Sequence, residues 1–422
     1  MGLPLAERRR PEIFFVNILL PMQTRLNAPG WYERLMLRLK PVFSLRVAVM
    51  ATALSSLVPR IARAEDLVSY KFQSWQEDGG RIRVDAHYAL VEKDLGLETK
   101  LKVTGLVDAI AGATPNGQPA PAGSDQVPLS QLTDRRKAWS ADVSHQLRRS
   151  NLTLGYAQSR ESDYISKGWS LNSLTDFNEK NTTLLVGYAR VDDDITARFL
   201  PAPRIKTGDD VVIGVTQLIN PRTSLTLNVT RGIADGYLSD PYKIIQKNTE
   251  ILPGLFLPLT FPENRPERRE KWIVFSGANL AFEKIKGALD TSYRFYRDDF
   301  GVQSHTLALE WFQSVGERLI LRPSLRVYRQ GSADFYRVSL NGSSIVPASS
   351  PTGQGPFYSA DYRLSELETV NAGLKVIWTI VPERLLVDAA YERYTMRGRD
   401  SVTSASAYPD ADVFTLGGRF TW

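Results

Sequence analysis

The chain contains no cysteine and only three histidines in 422 residues. The first absence excludes disulfides, thiolate metal sites and thiol nucleophiles. The second leaves little for imidazole catalysis or metal binding. Beyond residue 60 no apolar run reaches the roughly 18 residues that a membrane-spanning helix needs. Long amphipathic helical patterns are missing too. What fills the chain is alternation with a period of two, the signature of strands. Ile82, Val84, Ala86, Tyr88 and Leu90 alternate with Arg83, Asp85, His87 and Ala89. Leu225, Leu227 and Val229 alternate with Ser224, Thr226, Asn228 and Thr230, and Val370 to Trp378 follows the same rule.

Sixteen such segments can be read: 66–76, 81–93, 97–109, 136–148, 151–161, 164–175, 181–192, 209–219, 222–232, 269–284, 286–299, 302–315, 318–334, 368–381, 384–397 and 410–422. Most are long enough to cross a bilayer at a barrel's tilt. Every second connection is a tight turn, such as Arg149-Ser150 or Pro382-Glu383. The long connections, 110–135, 193–208, 233–268, 335–367 and 398–409, all fall between those turns. This rhythm predicts an all-β fold: a transmembrane antiparallel β-barrel of about sixteen strands, with long extracellular loops and short periplasmic turns. Two further strands could lie near 243–258. A soluble sandwich or propeller fits less well, since no blade repeat is present. In the last segment Phe414, Leu416, Gly418, Phe420 and Trp422 share one face. Trp422 is expected at the inner interface, with this strand pairing to residues 67–76 to remove the open edge. Aromatics near strand ends (Trp272, Phe282, Trp311, Trp378, Tyr391, Trp422) suit an interfacial girdle.

The N-terminal region reads as an export segment. Arg38, Lys40 and Arg46 precede the apolar run from Val47 to Val58, and Ala62-Arg63-Ala64 supplies a small-x-small cleavage pattern. Residues 1–64 form this segment, the signal peptide itself covering about 36–64. Translation from Met22 or Met36 would give a more ordinary leader. Residues 65–422 form the barrel. The first 64 residues carry ten Lys/Arg and three Asp/Glu, so the net +6 of the whole chain becomes slightly negative without them. The basic balance therefore gives no support to nucleic-acid binding.

If the alternation is projected onto a barrel, a charged cluster faces the lumen: Arg83, Asp85, Arg294, Glu310, Arg322, Arg326, Lys375, Asp388 and Glu392. Lys100, Lys102, Asp142, Glu283, Asp290 and Arg419 are further inward positions. Lys375 should lie diagonal to Asp388 and Glu392, and Glu310 near Arg322. Two roles compete. One is an eyelet that sorts solutes by its field; the other is a mesh of structural ion pairs. Interleaved signs favour the mesh. Parity places His145 and His305 on the lipid side and His87 inside, and no nucleophile–base pair shares a strand face. No catalytic residue, metal site or cofactor is therefore expected. The outer rim collects acids, such as Asp192-Asp-Asp194 and Asp209-Asp210. They read as solvated loop charges rather than a cation site, because no defined ligand spacing is present.

Several ordered stretches carry a resemblance: Ser74-Trp-Gln-Glu-Asp78, Thr207-Gly-Asp-Asp210, Gly236-Tyr-Leu-Ser-Asp-Pro-Tyr-Lys243, Glu263-Asn-Arg-Pro-Glu-Arg268, Tyr296-Arg-Asp-Asp-Phe-Gly301 and Arg326-Val-Tyr-Arg-Gln330. Together they resemble a bacterial envelope family known as domain of unknown function 3570, over nearly all of residues 65–422. The resemblance implies an exported outer-membrane barrel and supplies no activity or ligand. Asp240-Pro241 and Asn264-Arg265-Pro266 suggest a folded outer loop. The apolar run Leu252 to Leu259 is expected to turn into the lumen as a constriction. The functional expectation is a porin-like channel or binding barrel for small polar solutes, without catalysis. The alternative is an occluded barrel that docks a partner in an envelope assembly. Expected partners are outer-membrane lipid and lipopolysaccharide, the assembly machinery through the last strand, and further copies of the chain.

Overall fold

The computed structural model describes residues 66–197 and 200–422. The expected export segment, 1–64, lies outside the described residues. The strands in chain order are β1 (Leu67–Glu77), β2 (Arg83–Gly96), β3 (Thr99–Pro115), β4 (Leu129–Leu147), β5 (Ser150–Arg160), β6 (Tyr164–Phe177), β7 (Thr182–Ile195), β8 (Arg204–Asn220) and β9 (Thr223–Gly236). They continue as β10 (Ile244–Leu252), β11 (Leu255–Pro262), β12 (Arg268–Phe282), β13 (Gly287–Asp298), β14 (Gln303–Val315), β15 (Leu319–Gln330), β16 (Leu367–Val381), β17 (Leu385–Gly398) and β18 (Ala411–Thr421). Sixteen of them close an antiparallel barrel, each paired to its chain neighbours except that β9 pairs with β12 and β18 with β1. The strands β10 and β11 form a separate hairpin. They occupy the region where two extra strands were anticipated, but outside the barrel.

Alternation explains the wall. Leu154, Leu171, Ile213, Leu227, Leu374 and Leu416 are exposed on the outer surface. An exposed leucine row is stable only against lipid, where no water is ordered around it. Outward aromatics bound this band. Trp139 packs at a tilt on Tyr156 at 5.4 Å and Trp169 edge-on to Tyr188 at 5.0 Å toward the loop end. Phe282–Trp311 (5.5 Å) and Phe420–Trp422 (5.9 Å) lie at the turn end. Amphipathic rings suit both interfaces. Three strands run at least five residues further than the alternation indicated: β3 reaches Pro115, β4 begins at Leu129 and β8 at Arg204. Their extra residues rise beyond the aromatic level, where lipid no longer imposes an apolar–polar pattern.

The seam closes as the last segment suggested. Leu67 pairs with Thr421 and Glu77 with Ala411, without a register break. Beyond the ladder, Trp422 N donates to the Asp66 carbonyl at 3.0 Å. Backbone groups at an open edge would have no partner in hydrocarbon, so this pairing is obligatory. A cysteine-free chain makes the register directly testable. The double variant Ser69→Cys/Arg419→Cys places thiols on directly opposed residues, within disulfide reach. It should cross-link on oxidation and run as a circularised species in denaturing gels. The diagonal control Ser69→Cys/Thr421→Cys should not. Efficient cross-linking of the control instead would show that the seam is shifted.

Candidate functional site

The inner wall has two unlike halves. On β5 to β9 the inward side chains are small and polar, among them Thr153, Gly155, Ser170, Asn172, Gly187, Gly214, Thr216 and Asn228. Hydroxyls bridge neighbouring strands there, as between Ser144 and Thr153 (2.8 Å) and between Thr216 and Thr226 (3.0 Å). On β13 to β18 the wall is charged. Lys375 pairs with Asp388 at 2.6 Å, and Arg322 with Glu310 at 3.3 Å. Glu392 accepts from the Asn371 amide at 2.6 Å instead of reaching Lys375. These contacts tie neighbouring strands together across the inner wall.

Arg294 and Arg326 take no part in these contacts. Neither has a carboxylate or hydrogen-bond partner among the described residues. They flank β14 one row apart: Arg294 lies opposite Thr306 and Arg326 opposite Ala308. Around them is a cavity of about 220 Å³ lined by Arg269, Tyr296, Ser304, Thr306, Tyr328, Gln330, Arg363 and Leu364 among others. No carboxylate lines it. The partners Arg269, Tyr296, Tyr328, Gln330 and Arg363 were absent from the charge-based reading. Their signal was a repeated Arg-x-Tyr spacing, Arg294-Phe-Tyr296 and Arg326-Val-Tyr328, which puts each arginine and tyrosine on one strand face.

The roof of the cavity belongs to a cap made from the long loops. Tyr358 and Asn264 exchange backbone hydrogen bonds at 2.9 and 3.0 Å, and Leu340 N donates to the Gln246 carbonyl at 2.8 Å. Ser406 Oγ reaches the Asp125 carbonyl at 2.7 Å. At the centre, Asp361 pairs with Arg363 at 2.6 Å and Arg265 at 2.9 Å; Arg265 also meets Glu263 at 2.7 Å, and Arg363 meets Asp240 at 2.7 Å. Lys243 donates to the Pro115 carbonyl and lies 5.5 Å from the Tyr362 ring centre. Three acids and three bases thus balance inside a nearly dry cluster. Burial pushes the Lys243 ammonium down from its ordinary value. Burial would raise the Asp361 carboxyl, but Arg363, Lys243 and Arg265 together outweigh it and hold that group well below the usual carboxylate range. The cap is pinned to the wall by Gln330, whose amide donates to the carbonyls of Arg363 (2.9 Å) and Ser365 (2.8 Å).

Four expectations need correction. Arg83 and Asp85 face outward, not into the lumen. Lys71 sits 3.9 Å over the Tyr88 ring and lies opposite it in register, which fixes Tyr88 inside and Asp85 outside. The apolar row was misleading because Ala86 packs inward with Leu106, Ala138 and Tyr88. Outward charge is tolerable here, at the loop end, because Asp85 is satisfied by Arg83 (3.0 Å) and Ser74 (2.7 Å). His87 is outward for the same reason and bonds Tyr70 at 2.7 Å. The pair Tyr293–His305 repeats that contact at 2.7 Å, each histidine also lying beside a phenylalanine two residues beyond the tyrosine. Glu283 is in the β12–β13 turn, bound by Arg222 at 2.8 Å. Finally, the run from Leu252 to Leu259 forms the end of the separate β10–β11 hairpin and does not pack as a constriction, since Leu252, Phe256 and Leu257 are exposed. The segment around Asp361 to Ser365 narrows the interior in its place.

Acids on the rim are paired with arginines. Asp192 and Asp209 pair with Arg190 at 3.1 and 3.3 Å, Glu270 with Arg231 at 2.8 Å, and Asp412 with Arg393 at 3.1 Å. The family model described as "Protein of unknown function (DUF3570)" matches residues 44–205 and 202–409. The chain belongs to this family. Solved structures similar to this DUF3570 barrel include the siderophore receptor PirA from Pseudomonas aeruginosa, with 10% identity, 85% of this chain and 62% of that chain covered, and a TM-score of 0.41. CdiB from Acinetobacter baumannii shows 8% identity, 86% and 61% coverage, and a TM-score of 0.46. OmpT of Vibrio cholerae shows 6% identity, 86% and 100% coverage, and a TM-score of 0.41. The chain spans about three fifths of the length of the siderophore receptor. No curated protein sequence matches it.

The Asp361 cluster carries a pH prediction. A carboxyl whose folded pKa lies below its unfolded value of about 3.9 contributes stability above that pH and loses it as pH falls further. Amide exchange protection over residues 358–366 should therefore fall between about pH 6 and about pH 3. Asp361→Asn should lose it already at neutral pH, because the buried cluster is then one negative charge short, at a cost of about 3–5 kcal/mol. Equal protection at both pH values would contradict the assignment.

Proposed function

We propose that this protein resides in a bacterial outer membrane, where it passes or binds small polar solutes in a capped, hydrated lumen and performs no chemistry of its own. The observation that carries this reading is the hollow inner wall. A barrel of sixteen strands is too wide for its own side chains to fill. On β5 to β9 those side chains are small, polar and mutually bonded, so they leave space and favour water. The cap narrows the loop end from the opposite, charged side. Outward, the leucine band suits lipid, and the arginine–carboxylate rim suits the phosphates and bound cations of lipopolysaccharide. The β18 strand would serve the assembly machinery as its recognition element, and the lipid face leaves room for association with further copies.

One observation favours the competing reading of an occluded barrel that docks a partner. The β10–β11 hairpin, a sheet separate from the barrel wall, ends in exposed apolar side chains. Reconstitution in a planar bilayer separates the two. A channel should give steady conductance steps from the full-length mature protein. Persistent silence, with the protein demonstrably folded by heat-modifiable gel mobility, would favour the docking role.

A further inference from the structure

We propose that Arg294 and Arg326 form a binding site for a small multivalent oxyanion, of the phosphate or dicarboxylate type, in the cavity beneath the cap. The proposal deepens the solute-binding reading and rests on it for the access of an anion to the lumen. Arginine stays protonated in proteins, so two guanidiniums in a partly closed cavity must be compensated by something. Nearby arginines have found carboxylates: Arg269 pairs with Asp298, Arg363 with Asp361, and Arg322 with Glu310. Arg294 and Arg326 have none among the described residues, and they repel one another. The cavity supplies no acid to relieve them.

Geometry makes the two converge. Their backbones are separated by two strand spacings across β14, about 10 Å, and by one further row along the strand. Two arginine side chains reaching toward each other over Thr306 can share one anion across that gap. Guanidinium forks fit the oxygens of phosphate or carboxylate in bidentate fashion. Ser304 and Thr306 add hydroxyl donors on the floor. A cavity of about 220 Å³ has room for a compact anion between the two guanidiniums.

The same cavity touches the cap. Gln330 lines it while holding the carbonyls of Arg363 and Ser365. An anion seated here would therefore meet both the barrel wall and the segment that narrows the lumen.

The test uses purified full-length mature protein in detergent, with inorganic phosphate and malonate titrated separately at fixed chloride. The unmodified protein should bind at least one of the two, more weakly as salt rises. Arg294→Gln and Arg326→Gln should each weaken binding roughly tenfold or more. The turn variant Arg222→Gln, which removes the same charge elsewhere, should leave the affinity unchanged. Heat-modifiable mobility checks that each variant is folded. No binding of either anion, or equal affinity in all variants, overturns the proposal. In bilayers under a salt gradient, the double arginine variant should shift the reversal potential away from anion preference. A conducting channel with no such shift would sink the anion site and spare the channel. Silent bilayers with intact, arginine-dependent binding would do the reverse.

Discussion

Hydrocarbon offers no hydrogen bond, so every backbone N–H and C=O at membrane depth must find its partner within the protein. In this chain that requirement is met only when β18 lies against β1, residue by residue from Glu77–Ala411 to Leu67–Thr421. All else depends on this closure. It forces a definite inside, obliges each strand to show lipid an apolar face, and gathers the long loops at one end. Register then decides which charges can meet. Lys375 reaches Asp388, and Arg322 reaches Glu310, because their strands are neighbours with inward parity.

Charge is handled differently at three levels of the molecule. On the inner wall of β13 to β18, pairs sit in contact with water and stabilise modestly. In the cap, six charges balance in a nearly dry cluster, where removal of one member leaves another uncompensated. On the outer rim, Arg190, Arg231 and Arg393 hold the acids that would otherwise be solvated singly. The Arg294–Arg326 pair is the local departure from this economy of signs, and it lies where cap and wall meet. A site that folding leaves unsatisfied is a natural place for a ligand.

Much of the architecture was legible because alternation and turn length are local properties. Leu225 to Thr230 could be nothing but a strand with two unlike faces, and Pro382-Glu383 could only be a tight turn. The inward pairs followed from the same arithmetic. Arg83 and Asp85 went wrong where the arithmetic has two answers. A strand end above the membrane can carry charge outward, and a wide lumen can bury Ala86 and Tyr88 inward. The β10–β11 hairpin shows the same limit: its pattern reads as strand, but nothing local says whether a strand joins the barrel.

The amino-acid order alone determined the strand count of the barrel, the sidedness of its loops, the closing strand, and the absence of thiol chemistry. Those features depend on period, length and composition, which are read along the chain. Only the tertiary structure decided that Asp361 and Arg363 reach from one loop to Asp240 and Arg265 of another, and that Arg294 and Arg326 remain without a carboxylate. Such contacts join residues scores of positions apart. They depend on where the closed barrel brings the loops, and no local pattern encodes that distance.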